Sequence, residues 1–441
     1  MNKEILRLAI PNIITNITVP LLGMVDLAIV GHIGNETYIG AIALGTAIFN
    51  LIYWNFGFLR MGTSGLAAQA YGAGDKNEAM RILVRGLVIA LCTAVILVVL
   101  QYPIAKLSGL ILNCSDETLS LTLSYFYVRI WAAPATLGLY SIKGWFIGMQ
   151  NSKSPMAVAI ALNIVNIVTS LVFVLWLKMG IVGVALGTVL AQYSGLALAV
   201  ILWFVHYGNM RHLIDIRGSL RLDDMKKFFK LNSDIFLRTL CLCAVFTFIP
   251  AISASMGDSI LAANTLIMQL FTLFSYILDG FAYAGESLVG KYIGAKKSNF
   301  LKKAIRYLIY WGLIFTALFT IMYFFWSEGI YGIITSQKAV ISAAMEFNQW
   351  TLLIPICGFA AFLFDGIYIG ATAARSMRNI MFVATAVFFV CYFILQPILG
   401  NDGLWIAFLL FLVFRGGLMW IFYKKIIVIP IQKQEEWIHE E

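Results

Sequence analysis

Twelve apolar stretches separated by short polar turns leave this chain few ways to fold. They run over residues 5–33, 37–69, 83–108, 118–148, 155–177 and 181–206, then 228–256, 259–290, 301–327, 338–372, 378–399 and 402–428. About 20 apolar residues in α-helix cross the hydrocarbon core of a bilayer. Inside lipid every backbone N–H and C=O needs a partner within the protein, so stretches of this length become helices. Composition agrees: 61% of the 441 residues are hydrophobic and 12% charged, a balance that excludes an ordinary soluble domain. The predicted fold class is all-α, a polytopic membrane protein with 12 transmembrane helices.

Basic residues test this count, because Lys and Arg collect on the cytoplasmic side. With the N-terminus inside, 24 of the 31 basic residues fall in cytoplasmic segments and only Lys106, Lys178 and Lys338 fall outside. Arg60, Arg129, Arg238 and Arg415 lie within predicted spans. Both termini are therefore expected in the cytoplasm. The net charge of +9 reflects topology and anionic lipid, with no ground for a nucleic-acid partner. Met1 to Ala9 leads directly into the first span, so no cleavable signal is expected. The six cysteines and four histidines are dispersed, which offers neither a metal site nor a cofactor site. No nucleophile and base constellation appears, so the chain is not expected to be an enzyme.

The second half repeats the first with a shift of 223: Gly57 meets Gly280, Phe58 meets Phe281, Gly62 meets Gly285, Ser64 meets Ser287 and Gly34 meets Gly257. "YGAGDKNEAMR" from Tyr71 answers "YIGAKKSNFLKKA" from Tyr292 with a one-residue slip. The expected organisation is an N-terminal lobe over 1–206, a cytoplasmic connector over 207–227, a C-terminal lobe over 228–428 and a tail over 429–441. Six helices being an even number, both lobes enter the membrane from the same side. They are then related by a pseudo-two-fold axis along the membrane normal, as in parallel-repeat transporters.

Charged groups inside the spans point to function. Asp26 sits within "PLLGMVDLAIVGH", where an ionised Asp at the bilayer centre costs about 2.5–3.5 kcal/mol. Pro11 and Pro20 precede it, each removing a backbone donor and weakening the helix. The fifth span offers Asn166 and Ser170, four apart on one face, with Asn163 three before; Thr188 lies on the sixth. Desolvation raises the affinity of an Asp for a proton and hydrogen bonds to its ionised form lower it, so such a group can load and release one. A satisfied packing role for Asp26, and ordinary helix packing for the Asn and Ser residues, are the alternatives. In the second half Asp279, Glu286, Asp365, Arg238, Arg375 and Arg415 are candidates for substrate or ion contact or for ion pairs. Arg238 or Arg415 is expected against Asp279 or Asp365.

The stretches "VDLAIVGHIG", "FGFLRMGTSGLAAQAYGAGDK", "LDGFAYAGESLVGKYIGA" and "FDGIYIGATAARSMRN" lie in both halves. Through them the whole chain resembles the multidrug and toxic compound extrusion (MATE) family, in its DinF-like branch. The resemblance implies two six-helix lobes in an inner (cytoplasmic) membrane, exporting amphipathic, often cationic compounds in exchange for H+ or Na+. It implies that Asp26 is the coupling acid and Pro11 the point where the first helix bends. Asn166 and Thr188 match the family pattern, whereas Ser170 stands where the family has an Asp, which favours H+ over Na+. Arg238 falls near the position of a Glu found in Na+-coupled relatives, and Asp365 matches the family's acid in the tenth helix. The expected partners are small organic molecules and the lipid bilayer, with the protein acting as a monomer. The rival expectation is a flippase for lipid-linked saccharides or peptidoglycan precursors, whose cavity needs cations facing pyrophosphate.

Overall fold

The structure, a computed structural model, describes residues 1–31, 36–111 and 114–440; the side chains at 19–28, 30–31, 36, 111 and 437–440 also lie outside the description. Asp26, Pro20 and Gly34, singled out above, fall among these. Among the described residues there is no strand, and the chain is an all-α polytopic membrane protein.

Contacts divide it into two compact units, Ile14–Phe229 and Lys230–Glu441 joined by Met1–Ile13. The helices before the division are α1 (Asn2–Gly31), α2 (Glu36–Asn55), α3 (Phe58–Ala73), α4 (Lys76–Val99), α5 (Gln101–Ile111), α6 (Asp116–Arg129), α7 (Ala133–Gly148), α8 (Lys153–Leu171), α9 (Gly180–Tyr207) and α10 (Ile216–Ser219). After them come α11 (Leu222–Ser255), α12 (Asp258–Gly294), α13 (Ser298–Ile334), α14 (Lys338–Glu346), α15 (Asn348–Gly370), α16 (Ala374–Leu399), α17 (Asn401–Tyr423) and α18 (Ile429–Glu440).

Ten helical stretches among the described residues are long and apolar enough to cross a membrane. The predicted span 118–148 is built from α6 and α7, with a 3-10 turn at Ile130–Ala132 between them and Pro134 in the first turn of α7. Proline at a helix start gives up only a donor that would be orphaned anyway. The span 338–372 is likewise divided, at Phe347 between α14 and α15. α13 shows how lipid shapes the outside: Leu308, Thr316, Phe319 and Tyr323 face inward, while Phe324, Phe325 and Trp326 are 60% exposed or more. An apolar exterior of this extent belongs in hydrocarbon, not water.

The repeat is visible in the backbone at a spacing of 222 rather than 223. Gly74 and Lys296, Gln150 and Thr372, and Lys178 and Gly400 all adopt positive φ, each pair 222 residues apart. The turn after α3 has Gly74 N–H donating to Tyr71 O and Asp75 N–H to Ala70 O; its counterpart pairs Lys296 with Ile293 and Lys297 with Tyr292. Helix packing repeats as well. A Cβ on Gly144 would lie 2.3 Å from Arg60 O, and one on Gly366 would lie 2.0 Å from Ala282 O. Gly148 and Gly370, four residues on, meet the backbone of Ser64 and Glu286. Glycines four apart let helices approach closely where lipid supplies no hydrophobic drive between them. Gly366→Ala and Gly144→Ala are each expected to cost about 1–3 kcal/mol, because the obstructing atoms are backbone and cannot rotate away. Thermal denaturation of the purified variants in detergent measures this, and wild-type midpoints would refute it.

Each unit also takes in a segment from across the chain. Met1–Ile13, within the residues assigned above to 1–206, packs with the second unit, where Gly280 makes room for Ile13 and for Ala9 O. Glu4 pairs with Lys291 at 3.5 Å, and Trp311 donates to Asn2 Oδ1 at 3.3 Å. The connector packs with the first unit, through the buried Arg85 of α4. Arg85 donates to Ser219 O at 2.7 Å, Glu78 Oε1 at 2.8 Å and Asp224 Oδ2 at 3.1 Å. A cation placed under a polar segment in this way satisfies its carbonyls and acids together.

Candidate functional site

The polar face of α8 meets α9 in the first unit. Asn166, Ser170 and Thr188 are all buried, at 0%, 0% and 2% exposure. Asn166 Nδ2 donates to Thr188 Oγ1 at 3.2 Å, and the Thr188 hydroxyl donates to Val184 O at 3.1 Å. Among the described residues Asn166 Oδ1 and Ser170 Oγ have no hydrogen-bond partner. The helices come together here because position 187 is glycine: a Cβ there would lie 2.5 Å from Ser170 Oγ. Two buried oxygens left without donors are costly, typically 1–3 kcal/mol each. Each such atom calls for a physical explanation, a bound water or ion among them.

Asn163 lies one turn before Asn166 and reaches α1 instead. Its Nδ2 donates to Thr18 O at 3.0 Å, two helical turns before Asp26 in the sequence. The fifth and first spans are thereby fastened beside the stretch that carries the acid. α1 runs helically through the buried Pro11, and Asn12 Nδ2 donates to Leu8 O at 2.9 Å one residue later. The structure thus brings Asn166, Ser170 and Thr188 together and ties Asn163 to α1, while the side chains of Asp26 and Pro20 lie outside the described residues.

In the second unit the expected pairing of an arginine with Asp365 is found twice over. Arg238 of α11 and Arg415 of α17 both donate through Nη2 to Asp365 Oδ2 of α15. All three side chains are buried, and the Arg415 guanidinium lies 5.6 Å from the centre of the Phe362 ring. Asp365 is therefore already neutralised by cations of the protein itself. Glu286 is fully buried on α12, Asp279 half-buried on the same helix, and Arg375 exposed at the start of α16. One turn beyond Arg375, Arg378 pairs with Asp234 of α11 at 2.5 Å. Sequence reasoning did not single out that pair; one acid and one arginine near the ends of predicted spans were its only signal. Among the described residues no group of three or more His, Cys, Asp or Glu side chains could hold a metal ion.

The MatE family profile matches residues 11–172 and 235–398, one stretch in each half of the repeat. The chain is similar to the DNA damage-inducible protein F of Escherichia coli (strain K12), 35% identical over 422 residues that cover 94% of this chain and 90% of that protein. It is 22% identical to a probable multidrug resistance protein NorM of Pasteurella multocida (strain Pm70), over 96% of this chain and 94% of the other. Among solved structures, MATE in the bent conformation superposes with a TM-score of 0.87 at 20% identity, covering 99% of this chain and 97% of that one.

Proposed function

Since the chain belongs to the MatE family, we propose that it is a proton-coupled antiporter that exports amphipathic, often cationic organic compounds by alternating access. We place it in the inner membrane with both termini in the cytoplasm, working as a monomer. With Asp26 ionised the protein holds its substrate; a proton arriving from outside removes the charge, the substrate leaves, and loss of the proton to the cytoplasm resets the cycle.

The observation that carries this reading is the α8–α9 face, whose two unpartnered oxygens, Asn166 Oδ1 and Ser170 Oγ, are both neutral. Hard cations such as Na+ are held by several oxygens that include carboxylates. A face that contributes only an amide and hydroxyls supports a proton as the coupling ion better than Na+. The flippase alternative needs several free cations converging on a pyrophosphate, and the two span arginines of the second unit, Arg238 and Arg415, are both engaged by Asp365. That engagement sets drug export ahead.

Dye accumulation in everted vesicles, under a proton gradient or a sodium gradient imposed separately, tests the coupling. A proton gradient alone is expected to drive it, and a sodium gradient alone is not. Sodium-driven accumulation with the proton gradient collapsed would overturn proton coupling.

A further inference from the structure

α13 turns one continuous exposed face outward. Phe300, Lys303, Arg306, Tyr310, Ile314 and Leu318 are all exposed, three or four residues apart, and so line one side of the helix. The buried Leu301, Ala304, Ile305 and Leu308 occupy the other side.

Along this face the chemistry changes in a fixed order. Cations come first, then the Tyr310 ring, then aliphatic side chains that begin about 12 Å beyond Arg306. A phospholipid is ordered in the same way: its phosphate lies outermost, its ester region is the level at which tyrosines settle, and its acyl chains lie deeper. The exposed face therefore complements one lipid molecule from head to tail.

Charge at this end of the helix is one-sided. No Asp or Glu occurs between Glu286 and Glu328, whereas six basic residues do, from Lys291 to Arg306. Among the described residues the acids that reach this end are Glu4, 3.5 Å from Lys291, and Glu435, which accepts from Ser298 N–H at 3.0 Å. Neither forms an ion pair with Lys303 or Arg306.

The internal repeat supplies the contrast. In α4 the N-cap is Asp75, which accepts from Glu78 N–H at 2.9 Å, so acids sit at the positive end of the helix dipole. Their counterparts 222 residues on are Lys297, an N-cap without a side-chain bond, and Phe300, over whose ring the Lys297 ammonium lies at 5.9 Å. Cations at a helix start oppose the dipole, so helix stability does not account for them. Arg306 and Tyr310 correspond to Val84 and Val88, neither of which is exposed. The cationic face thus belongs to the second half of the repeat alone.

We propose that the exposed face of α13 is a binding site for an acidic phospholipid of the surrounding leaflet. Lys303 and Arg306 hold its phosphate, with Lys296 and Lys297 adding positive charge at the helix start. Tyr310 meets the ester region, and Ile314 and Leu318 lie along an acyl chain.

Native mass spectrometry of the full-length protein in detergent, titrated with dioleoyl phosphatidylglycerol or dioleoyl phosphatidylcholine, tests the assignment. Wild-type protein is expected to bind the glycerol lipid more tightly. Lys303→Gln combined with Arg306→Gln should weaken that lipid about 10- to 30-fold, the worth of two cations at an acidic surface, and leave the choline lipid unchanged. Lys226→Gln combined with Lys227→Gln removes the same charge from the connector and should change neither. Phosphatidylglycerol should also raise the thermal midpoint of wild type and of the connector pair, but not of the α13 pair. Equal binding of the two lipids by wild type, undiminished preference in the α13 pair, or the same loss in the connector pair would each overturn the proposal. Displacement of the lipid by inorganic phosphate would also overturn it, in favour of a free-anion site.

Discussion

Asp26→Asn is expected to abolish uphill efflux while leaving the protein folded and inserted. The substitution keeps size and hydrogen-bonding capacity but removes the proton that the group would carry. One proton entering across 100 mV supplies about 2.3 kcal/mol, and each pH unit adds about 1.4 kcal/mol. With both, one-for-one exchange sustains a gradient of a few hundred-fold for a neutral substrate. Without a titrating group the ratio should fall to about one, although downhill passage of dye can continue. Folding should survive because a neutral amide costs less in hydrocarbon than a carboxylate. Asn163 holds α8 to α1 at Thr18, and among the described residues Asn166 Oδ1 and Ser170 Oγ stand buried without a hydrogen-bond partner. The decisive measurement is the steady-state dye ratio in proteoliposomes carrying equal amounts of wild-type and variant protein. A variant that still concentrates dye would remove Asp26 from the mechanism.

The helices and their duplication were legible in the sequence because both follow from local rules. Apolar length marks the spans, and glycines mark turns that need positive φ. Gly74 was such a glycine, but its counterpart in the repeat is Lys296, a residue that gives no sign of the left-handed turn it adopts. That substitution is one reason the shift read as 223 when the backbone repeats at 222. The Asn166 and Ser170 face was also legible, since residues four apart share a helix side. Its partner Thr188 was expected on the neighbouring helix and is found there, 3.2 Å from Asn166.

Pairings that join distant parts of the chain were much less legible. Arg238 and Arg415 were candidates for Asp365, but nothing local shows that both converge on one oxygen from 127 and 50 residues away. The break between α6 and α7 was hidden within one apolar stretch, where a 3-10 turn changes hydropathy very little. Arg129 was visible only as a cation in a span. Its hydrogen-bond partner Thr46 comes from another helix, 83 residues away, a pairing that sequence spacing does not encode.

The same convergence makes Asp365 the side chain whose loss should damage the fold most. Asp365→Ala takes the shared anion away from two buried guanidiniums, those of Arg238 and Arg415. Removing one partner of a buried ion pair costs about 3–5 kcal/mol, since the remaining charge stays desolvated. Arg415, 2% exposed and with no partner for its Nε among the described residues, keeps the Phe362 face, worth about 0.5–2 kcal/mol. An apparent Tm lower by on the order of 10 °C is expected in detergent. Asp365→Asn should lie between, because its amide oxygen still accepts a bond but carries no charge. Replacing Arg238 and Arg415 by Met together with Asp365→Leu should recover most of the stability, because an apolar triad of similar volume has no charge to desolvate. The comparison separates a structural ion cluster from a cation-binding acid. If Asp365 served chiefly to bind a substrate or coupling cation, Asp365→Ala would melt near wild type and lose transport alone.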